Sequence, residues 1–157
     1  MRFVGVILMV VVLATGCGWS PPSGNHAEPN SCPASDGPTA AVVDAELAKV
    51  SDGPPWRETA RGNTTDCQLY WVQVAAANPA SDAPGQVLFF DRGTPVGTPT
   101  PEPRPYVAVV NTGSDIVTVQ YQWRQGTDPA CCPTGIGTVR FRLEGGQLTA
   151  LDPIPGP

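Results

Sequence analysis

The chain has 157 residues and is acidic, with nine Lys and Arg side chains against 14 Asp and Glu, for a net charge of −5 at neutral pH. This length fits one domain of ordinary size, on a prior of about 100 to 200 residues per domain. The charge excludes the basic surface that nucleic-acid binding requires, and it opposes direct contact with anionic lipid headgroups.

The first 16 residues have the layout of a bacterial lipoprotein signal peptide. A single basic residue, Arg2, precedes the apolar run 3–13, and small residues at 14–16 lead to Cys17. A charged start, a short apolar stretch and small residues before the cut are the parts of a secretory signal. A lipoprotein signal peptidase also requires a cysteine directly after the cut. We therefore expect lipidation of Cys17, with palmitate among the acyl chains, and anchoring to the extracytoplasmic face of the cell membrane.

Two other interpretations of this segment are weaker. A transmembrane helix needs about 20 apolar residues, and polar sequence already begins at Ser20. Ordinary secretion with cleavage elsewhere is the second alternative, because Ala14 occupies the position at which lipoprotein signals prefer Leu.

Residues 17–38 predict a lipidated, flexible tether. They are rich in Ser, Pro, Gly and Asn and poor in apolar side chains, so they bury too little surface to fold on their own. Cys32 is expected to fix the far end of the tether to the domain. His26, the only histidine of the chain, lies in the tether, where no general base would be held in position.

Residues 39–157 are predicted to form a single α+β domain. Thr39 is placed to cap a helix over 40–50, whose apolar side chains repeat at helical spacing. Those side chains are Val43, Leu47 and Val50. The Gly-Pro-Pro sequence at 53–55 ends the helix, and Trp56 is expected to cover one end of the core.

Alternation of apolar and polar residues after the helix predicts β-strands. The candidate strands are 68–76, 86–91, 95–98, 106–110, 116–124, 138–144 and 147–151. Parallel strands would need crossover connections of about a dozen residues or more, usually helical, and no second helix is evident. We therefore expect one N-terminal helix packed on an antiparallel meander sheet of about five to six strands. The Pro-rich stretch 94–105 favours a stiff, exposed connection within it.

Once Cys17 carries the lipid, four cysteines remain, an even number that predicts two disulfides in an exported protein. They are Cys32, Cys67, Cys131 and Cys132. A bond between the adjacent pair would close a strained eight-membered ring, so we expect Cys32 and Cys67 each to join one member of that pair, in either of two schemes. A redox function is the alternative, and it would leave Cys131 and Cys132 joined to each other or free.

The sequence predicts no catalytic set, no metal site and no cofactor. Zinc would need thiolates or histidines that are not available. Asp91, Asp115 and Asp128 could in principle flank a glycosidic bond, but acids in turns usually bond to nearby backbone. Trp71 and Trp123 could offer a sugar-binding face, although aromatic residues in strands more often pack in the core.

Five short motifs occur in order along the domain. They are Cys67-Gln68-Leu69-Tyr70-Trp71-Val72, Leu88-Phe89-Phe90, Val96-Gly97-Thr98, Tyr121-Gln122-Trp123 and Cys131-Cys132-Pro133-Thr134-Gly135. Together they resemble the actinobacterial LppP/LprE lipoprotein family over residues 67–155, and the adjacent cysteines followed by Pro-Thr-Gly are the most specific part. The resemblance implies a small, exported, membrane-anchored domain of mycobacteria and their relatives, with no assigned reaction.

The sequence thus predicts an exported lipoprotein with a non-catalytic binding or accessory role in the cell envelope. Its expected partners are the membrane, through the lipid on Cys17, and an envelope protein or glycan, but no nucleic acid. The alternatives are an envelope glycan hydrolase that uses paired carboxylates, and a carrier of a small apolar ligand.

Overall fold

The computed structural model describes residues 32–50, 55–77 and 80–156. The predicted signal peptide, Cys17 and His26 lie outside these residues. The α+β class is confirmed, because one α-helix packs with strands that pair only in antiparallel fashion throughout the described ranges. No helix in this part of the chain is long and apolar enough to span a membrane.

Nine strands follow a short 3-10 turn at Ala34–Asp36 and the helix α1 at Ala40–Leu47. The strands are β1 Trp56–Asn63, β2 Leu69–Ala76, β3 Pro84–Asp91, β4 Thr94–Gly97, β5 Arg104–Pro105, β6 Ala108–Thr112, β7 Val117–Trp123, β8 Gly135–Glu144 and β9 Gln147–Ala150. The side chain of Thr39 caps α1 as predicted, accepting a hydrogen bond from the Val42 amide at 3.3 Å. The helix ends three residues before the predicted Val50, but Val50 still packs on the core.

The prediction of a single meander sheet of five to six strands is wrong, because the strands form two sheets. The first sheet has the order β1-β2-β3-β4, with β5 paired to the start of β3, and the second is the meander β6-β7-β8-β9. The first sheet is covered on both faces, by α1 on one side and by the second sheet on the other. This explains why residues 85–90 of β3 are buried without interruption, as expected of a strand between two layers.

Two apolar clusters hold the three layers together. Between the sheets lie Leu69, Val87, Phe89, Val107, Val117, Val119, Tyr121, Val139 and Phe141. Between the first sheet and α1 lie Val43, Tyr70, Val72, Val74, Leu88 and Phe90, with Trp56 packed against them as expected. Alternate side chains of β2 and β3 therefore serve opposite layers, because successive strand residues point to opposite faces.

The sandwich has two opposite ends. We call the first the Cys67 end; there the turn 64–67 contacts the β6–β7 turn. The Thr65 amide donates to the Gly113 carbonyl at 3.1 Å, and the Asp66 amide donates to the Ser114 carbonyl at 3.0 Å. The second, the Trp123 end, gathers the start of β3, strand β5, the end of β7 and the loop 124–134. The seven residues of β7 separate the two ends by roughly 20 to 25 Å at about 3.3 Å per residue.

The predicted disulfide connectivity is also wrong. Cys32 joins Cys67, with their Cα atoms 5.6 Å apart, and Cys131 joins Cys132. The physical reason is distance: Cys67 and the adjacent pair lie at opposite ends of the sandwich, whereas disulfide-bonded Cα atoms are at most about 7 Å apart. Cys32–Cys67 thus ties the N-terminal segment to the sheet, and the second bond acts within one loop.

Candidate ligand-binding site

A cavity of about 410 Å³ opens at the Trp123 end. Its lining consists of Asp82, Arg104, Pro105, Tyr106, Gln122, Trp123 and Arg124. The pairing of β5 with Pro84 and Gly85 brings Arg104 and the residues after it to this end, and the last residues of β7 supply the opposite side. Sequence-distant residues therefore meet here because both sheets end at the same place.

The indole of Trp123 lies close to glycine backbone. Trp123 pairs with Gly135 across β7 and β8, and a Cβ atom built on Gly135 would overlap the indole Nε1. A Cβ on Gly156 would lie 3.4 Å from the indole Cε3. The indole can therefore pack on the backbone at position 135 only if that residue is glycine. In this position the half-buried indole lines the cavity.

Arg104 is held by the end of the chain and by an aromatic ring. Its Nη1 donates a hydrogen bond to the Pro155 carbonyl at 3.0 Å, and its guanidinium carbon lies 5.4 Å from the centre of the Tyr121 ring. Burial raises the pKa of Tyr121 to about 12, and the positive charge of Arg104 acts against this rise. The Tyr121 hydroxyl has no hydrogen-bond partner among the described residues.

Tyr106 links the cavity to the loop 124–134. Its backbone has φ +57°, in the left-handed region that few residues other than glycine adopt, and its hydroxyl donates to the Ala130 carbonyl at 2.6 Å. On the other side of the cavity, Arg124 Nε donates to the Asp128 carbonyl at 2.8 Å. Two residues that line the cavity thus depend on the loop for their position.

Asp128 organises that loop internally. Its Oδ2 atom accepts hydrogen bonds from the Gln125 amide, the Thr134 amide and the Thr134 hydroxyl, each at 2.8 Å. These bonds lower the pKa of Asp128, the Gln125 amide contributing most. The carboxylate therefore has a structural position as the centre of a turn, which matches the usual behaviour of acids in turns.

The cavity carries more positive charge than the protein average. Elsewhere in the described ranges, four cations pair with carboxylates: Lys49 with Glu46, Arg61 with Glu58, Arg140 with Asp152 and Arg142 with Glu144. No such pair involves Arg124 within the same ranges. Two arginines against the single carboxylate of Asp82 line the cavity of a chain whose net charge is −5.

The structure does not assemble the carboxylates considered for glycoside hydrolysis as one group. Asp91 and Asp115 lie at the Cys67 end and Asp128 lies at the other. Catalytic carboxylates of glycosidases are at most about 9.5 Å apart, so Asp128 cannot pair with Asp115 across the length of β7. Asp115 instead accepts a hydrogen bond from the Ser114 hydroxyl at 3.0 Å. Within the described ranges no cluster of three or more His, Cys, Asp or Glu side chains could hold a metal ion.

Trp71, the other candidate sugar platform, is half-buried and packs on β1. A Cβ on Gly62 of β1 would come within 2.7 Å of its Cζ2, and the indole Nε1 is buried without a partner in the part of the chain described. Trp71 and Tyr70 border a second cavity, of about 310 Å³, at the Cys67 end. Burial is the main cause that raises the pKa of Tyr70, whose hydroxyl also has no partner there.

Sequence reasoning found Trp123 but missed the residues that make a site of it. Asp82 precedes β3, whose buried run at 85–90 does not alternate, and Arg104 lies in β5, which has only two residues. The positive φ of Tyr106 leaves no pattern in the sequence. The one available signal was the run of prolines before Arg104. These prolines indicate a stiff backbone, but they do not predict where in the fold Arg104 lies.

Comparison with known proteins places the chain in a family. A model of the LppP/LprE lipoprotein family matches residues 61–146. Proteins named "Putative lipoprotein LppP" in Mycobacterium tuberculosis and Mycobacterium bovis are 49% identical to it over 146 residues, which cover 90% of this chain and 83% of theirs. The chain belongs to the LppP/LprE lipoprotein family. No solved structure matches this family member, and the matched span 61–146 contains the seven residues lining the Trp123 cavity.

Proposed function

We propose that this LppP/LprE lipoprotein is anchored by lipid on Cys17 at the extracytoplasmic face of the cell membrane and binds an envelope glycan, without catalysis, in the Trp123 cavity. The observation that carries the proposal is the cavity itself. It places two aromatic side chains, Tyr106 and Trp123, among several hydrogen-bonding side chains at an open end of the sandwich.

The side chains that line the cavity match the surface of a sugar. Indole rings pack against the apolar faces of pyranose rings because aromatic side chains offer a large, flat contact area. Gln122 and Asp82 supply amide and carboxylate groups that bond hydroxyls, and the arginines supply donors only. A few polar groups around an apolar surface are typical of small-molecule sites.

The position of the cavity also supports an envelope role. The N-terminal segment meets the domain at Cys32, which is bonded to Cys67 at one end of the sandwich. The Trp123 cavity opens at the other end, roughly 20 to 25 Å away along the strands. A lipid on Cys17 would therefore hold the cavity on the side of the domain that faces away from the attachment point.

The test is co-sedimentation of the full chain with insoluble cell wall that has been stripped of protein by protease. We expect Trp123→Ala to lower the bound fraction by about tenfold, since an aromatic contact contributes on the order of 1 kcal/mol beyond its buried area. Trp56→Ala is the matched control, because it removes another half-buried indole that packs on the helix side. Equal loss in both folded variants would contradict the proposal.

The same assay separates binding from hydrolysis. Soluble sugar released from the wall is measured for the unchanged chain and for Asp91→Asn, Asp115→Asn and Asp128→Asn. We expect no release above a protein-free control. Release that disappears in one of these variants while sedimentation persists would replace our proposal with the hydrolase alternative.

The second cavity gives the apolar-carrier alternative a specific place. It is lined by Pro33, Ala34 and Pro38 together with Trp71 and Val72. A fluorescent fatty acid is the probe: binding lost in Ala34→Asp, at an exposed residue of this cavity, but retained in Trp123→Ala would favour a carrier. We favour the glycan because the Trp123 cavity is larger and more polar. Four of its seven lining residues carry a charge or an amide, against only Arg61 and Asn63 among the eleven that line the second cavity.

A further inference from the structure

The Cys131–Cys132 disulfide is an exposed bond in a loop that borders the Trp123 cavity. Both of its cysteines are exposed, whereas Cys32 and Cys67 are half-buried. Thiol–disulfide exchange requires a thiolate to reach a sulfur atom directly, so access is one of the factors that decide which disulfide reacts. Of the two disulfides described, the one at 131–132 is therefore the more accessible to a reductant.

The loop also holds one residue of the cavity, Tyr106, in place. Ala130, whose carbonyl accepts the Tyr106 hydroxyl, directly precedes Cys131. The Cys132 amide donates to the Pro129 carbonyl at 3.0 Å, which closes a turn around the same point. A covalent ring at 131–132 therefore restricts the backbone next to the group that positions Tyr106.

The hydrogen bonds on the other side of the loop do not depend on the disulfide. Asp128 holds Gln125 and Thr134 through side-chain contacts, and Arg124 contacts the Asp128 carbonyl. Opening of the disulfide would therefore free the segment 129–133 first and leave the base of the loop closed. The expected change is a local loosening of one cavity wall and not unfolding.

We propose that Cys131–Cys132 is a thiol–disulfide exchange site, and that its reduction by a dithiol releases the cavity wall formed by Tyr106. A thiolate of the dithiol attacks one sulfur of the bond and displaces the other as a thiolate. The second thiol of the reductant then breaks the mixed disulfide. The reductant leaves as a disulfide, and its two protons end on Cys131 and Cys132, so two electrons and two protons are transferred.

The first test compares the two disulfides in the same molecule. The full chain is incubated with increasing dithiothreitol, alkylated and mapped by mass spectrometry. We expect Cys131 and Cys132 to be labelled at a dithiol concentration about tenfold lower than Cys32 and Cys67, because the latter pair is less accessible. Simultaneous labelling of both pairs, or earlier labelling of Cys32 and Cys67, would overturn the proposal.

The second test asks whether the bond controls the cavity wall. Amide hydrogen exchange is measured before and after selective reduction, and we expect peptides covering 104–107 and 129–134 to exchange at least threefold faster while the core strand β7 is unchanged. The double variant Cys131→Ser, Cys132→Ser is expected to reproduce this without reductant, and Tyr106→Phe to reproduce part of it near Ala130. If the disulfide is selectively reduced and the exchange of both peptides is unchanged, the bond does not control the cavity wall, and the proposal is contradicted.

Neither test uses a glycan. Their results are therefore independent of the proposed binding function. A protein that does not bind cell wall can still show selective reduction and faster exchange, and a protein that binds cell wall can show neither.

Discussion

The two ends of the sandwich are stabilised in different ways. At the Cys67 end a disulfide crosses between segments. The Tyr70 hydroxyl and the Trp71 Nε1 at this end are buried without a partner among the described residues. Asn63 and Thr64, in contrast, form a buried hydrogen-bond network: the Asn63 amide donates to the Thr64 carbonyl at 2.9 Å, and the Thr64 hydroxyl accepts from the Leu69 amide at 3.1 Å. A satisfied, buried network of this kind makes a structure rigid. The N-terminal segment is therefore joined to the most constrained part of the domain.

The Trp123 end has no disulfide between its segments in the part of the chain that is described. Its shape depends on an indole lying on Gly135, on a left-handed backbone at Tyr106 and on hydrogen bonds from side chains to loop carbonyls. Left-handed backbone does not distinguish the two ends, because Cys67 and Arg92 at the Cys67 end also have positive φ. The N-terminal segment joins the domain at the Cys67 end, and our proposal places glycan binding at the Trp123 end.

The largest expected effect comes from removal of the disulfide at the Cys67 end. Cys32 and Cys67 are 35 residues apart in sequence, and a bond that closes a loop of this length lowers the entropy of the unfolded chain. We expect Cys32→Ser with Cys67→Ser to lower the free energy of unfolding by about 3 to 4 kcal/mol. Urea denaturation followed by circular dichroism measures this loss.

The matched control is the disulfide at the other end. Cys131→Ser with Cys132→Ser removes a bond between neighbours, which constrains almost none of the unfolded chain, so the free energy of unfolding should fall by about 1 kcal/mol or less. A loss as large as that at the Cys67 end would mean that the loop 124–134 is part of the structural core. It would contradict the statement that the two ends are stabilised in different ways.

A smaller effect is expected from filling the space beneath Trp123. In Gly135→Ala the new methyl group would occupy the position of the indole Nε1, so the ring must move. We expect a loss of about 1 to 3 kcal/mol, as for other overpacked sites, together with loss of cell-wall sedimentation. Thermal unfolding monitored by tryptophan fluorescence gives the stability.

Gly113→Ala at the Cys67 end is the control for this substitution. Its Cβ would lie 3.6 Å from the Ile116 carbonyl oxygen, an ordinary contact. The stability should change by no more than about 1 kcal/mol in either direction, and wall binding should be retained. If both alanine variants lose binding, the Trp123 cavity is not the binding site.

The strands with strong alternation could be predicted from the sequence, and the weakly patterned ones could not. Val117, Val119 and Tyr121 in β7 fixed both the strand and its buried face correctly. β1 was missed because its exposed Arg57, Glu58 and Thr59 interrupt any alternation, as they can on an edge strand. Its pairing is evident only from contacts, such as the hydrogen bond from the Thr59 hydroxyl to the Gln73 carbonyl at 3.1 Å.

The division into two sheets and the disulfide pairing failed for a related reason. Leu88 and Phe89 are both fully apolar, so the sequence does not indicate that they serve opposite layers. With one sheet assumed, Cys67 and Cys131 were free to approach each other. The second sheet places them at opposite ends, and the local bond between Cys131 and Cys132 follows from that distance. Long-range packing, not local pattern, determined these features.

The smallest expected effect concerns the segment after β9 and depends on pH. Arg140 holds Asp152 through two hydrogen bonds of 2.9 Å, and these contacts lower the pKa of Asp152 to about 2. Because the folded-state pKa lies below the unfolded value of about 3.9, the contribution is complete above about pH 5 and is lost as the pH falls through about 2. The free energy of unfolding of the unchanged chain should therefore exceed that of Asp152→Asn at pH 7, and most of the difference should be lost by about pH 2. Since the same segment continues to Pro155, whose carbonyl accepts from Arg104, Asp152→Asn should also speed amide exchange around Trp123 at neutral pH. A stability difference that persists unchanged at pH 2 would show that the Asp152 carboxylate does not hold this segment on the Trp123 end.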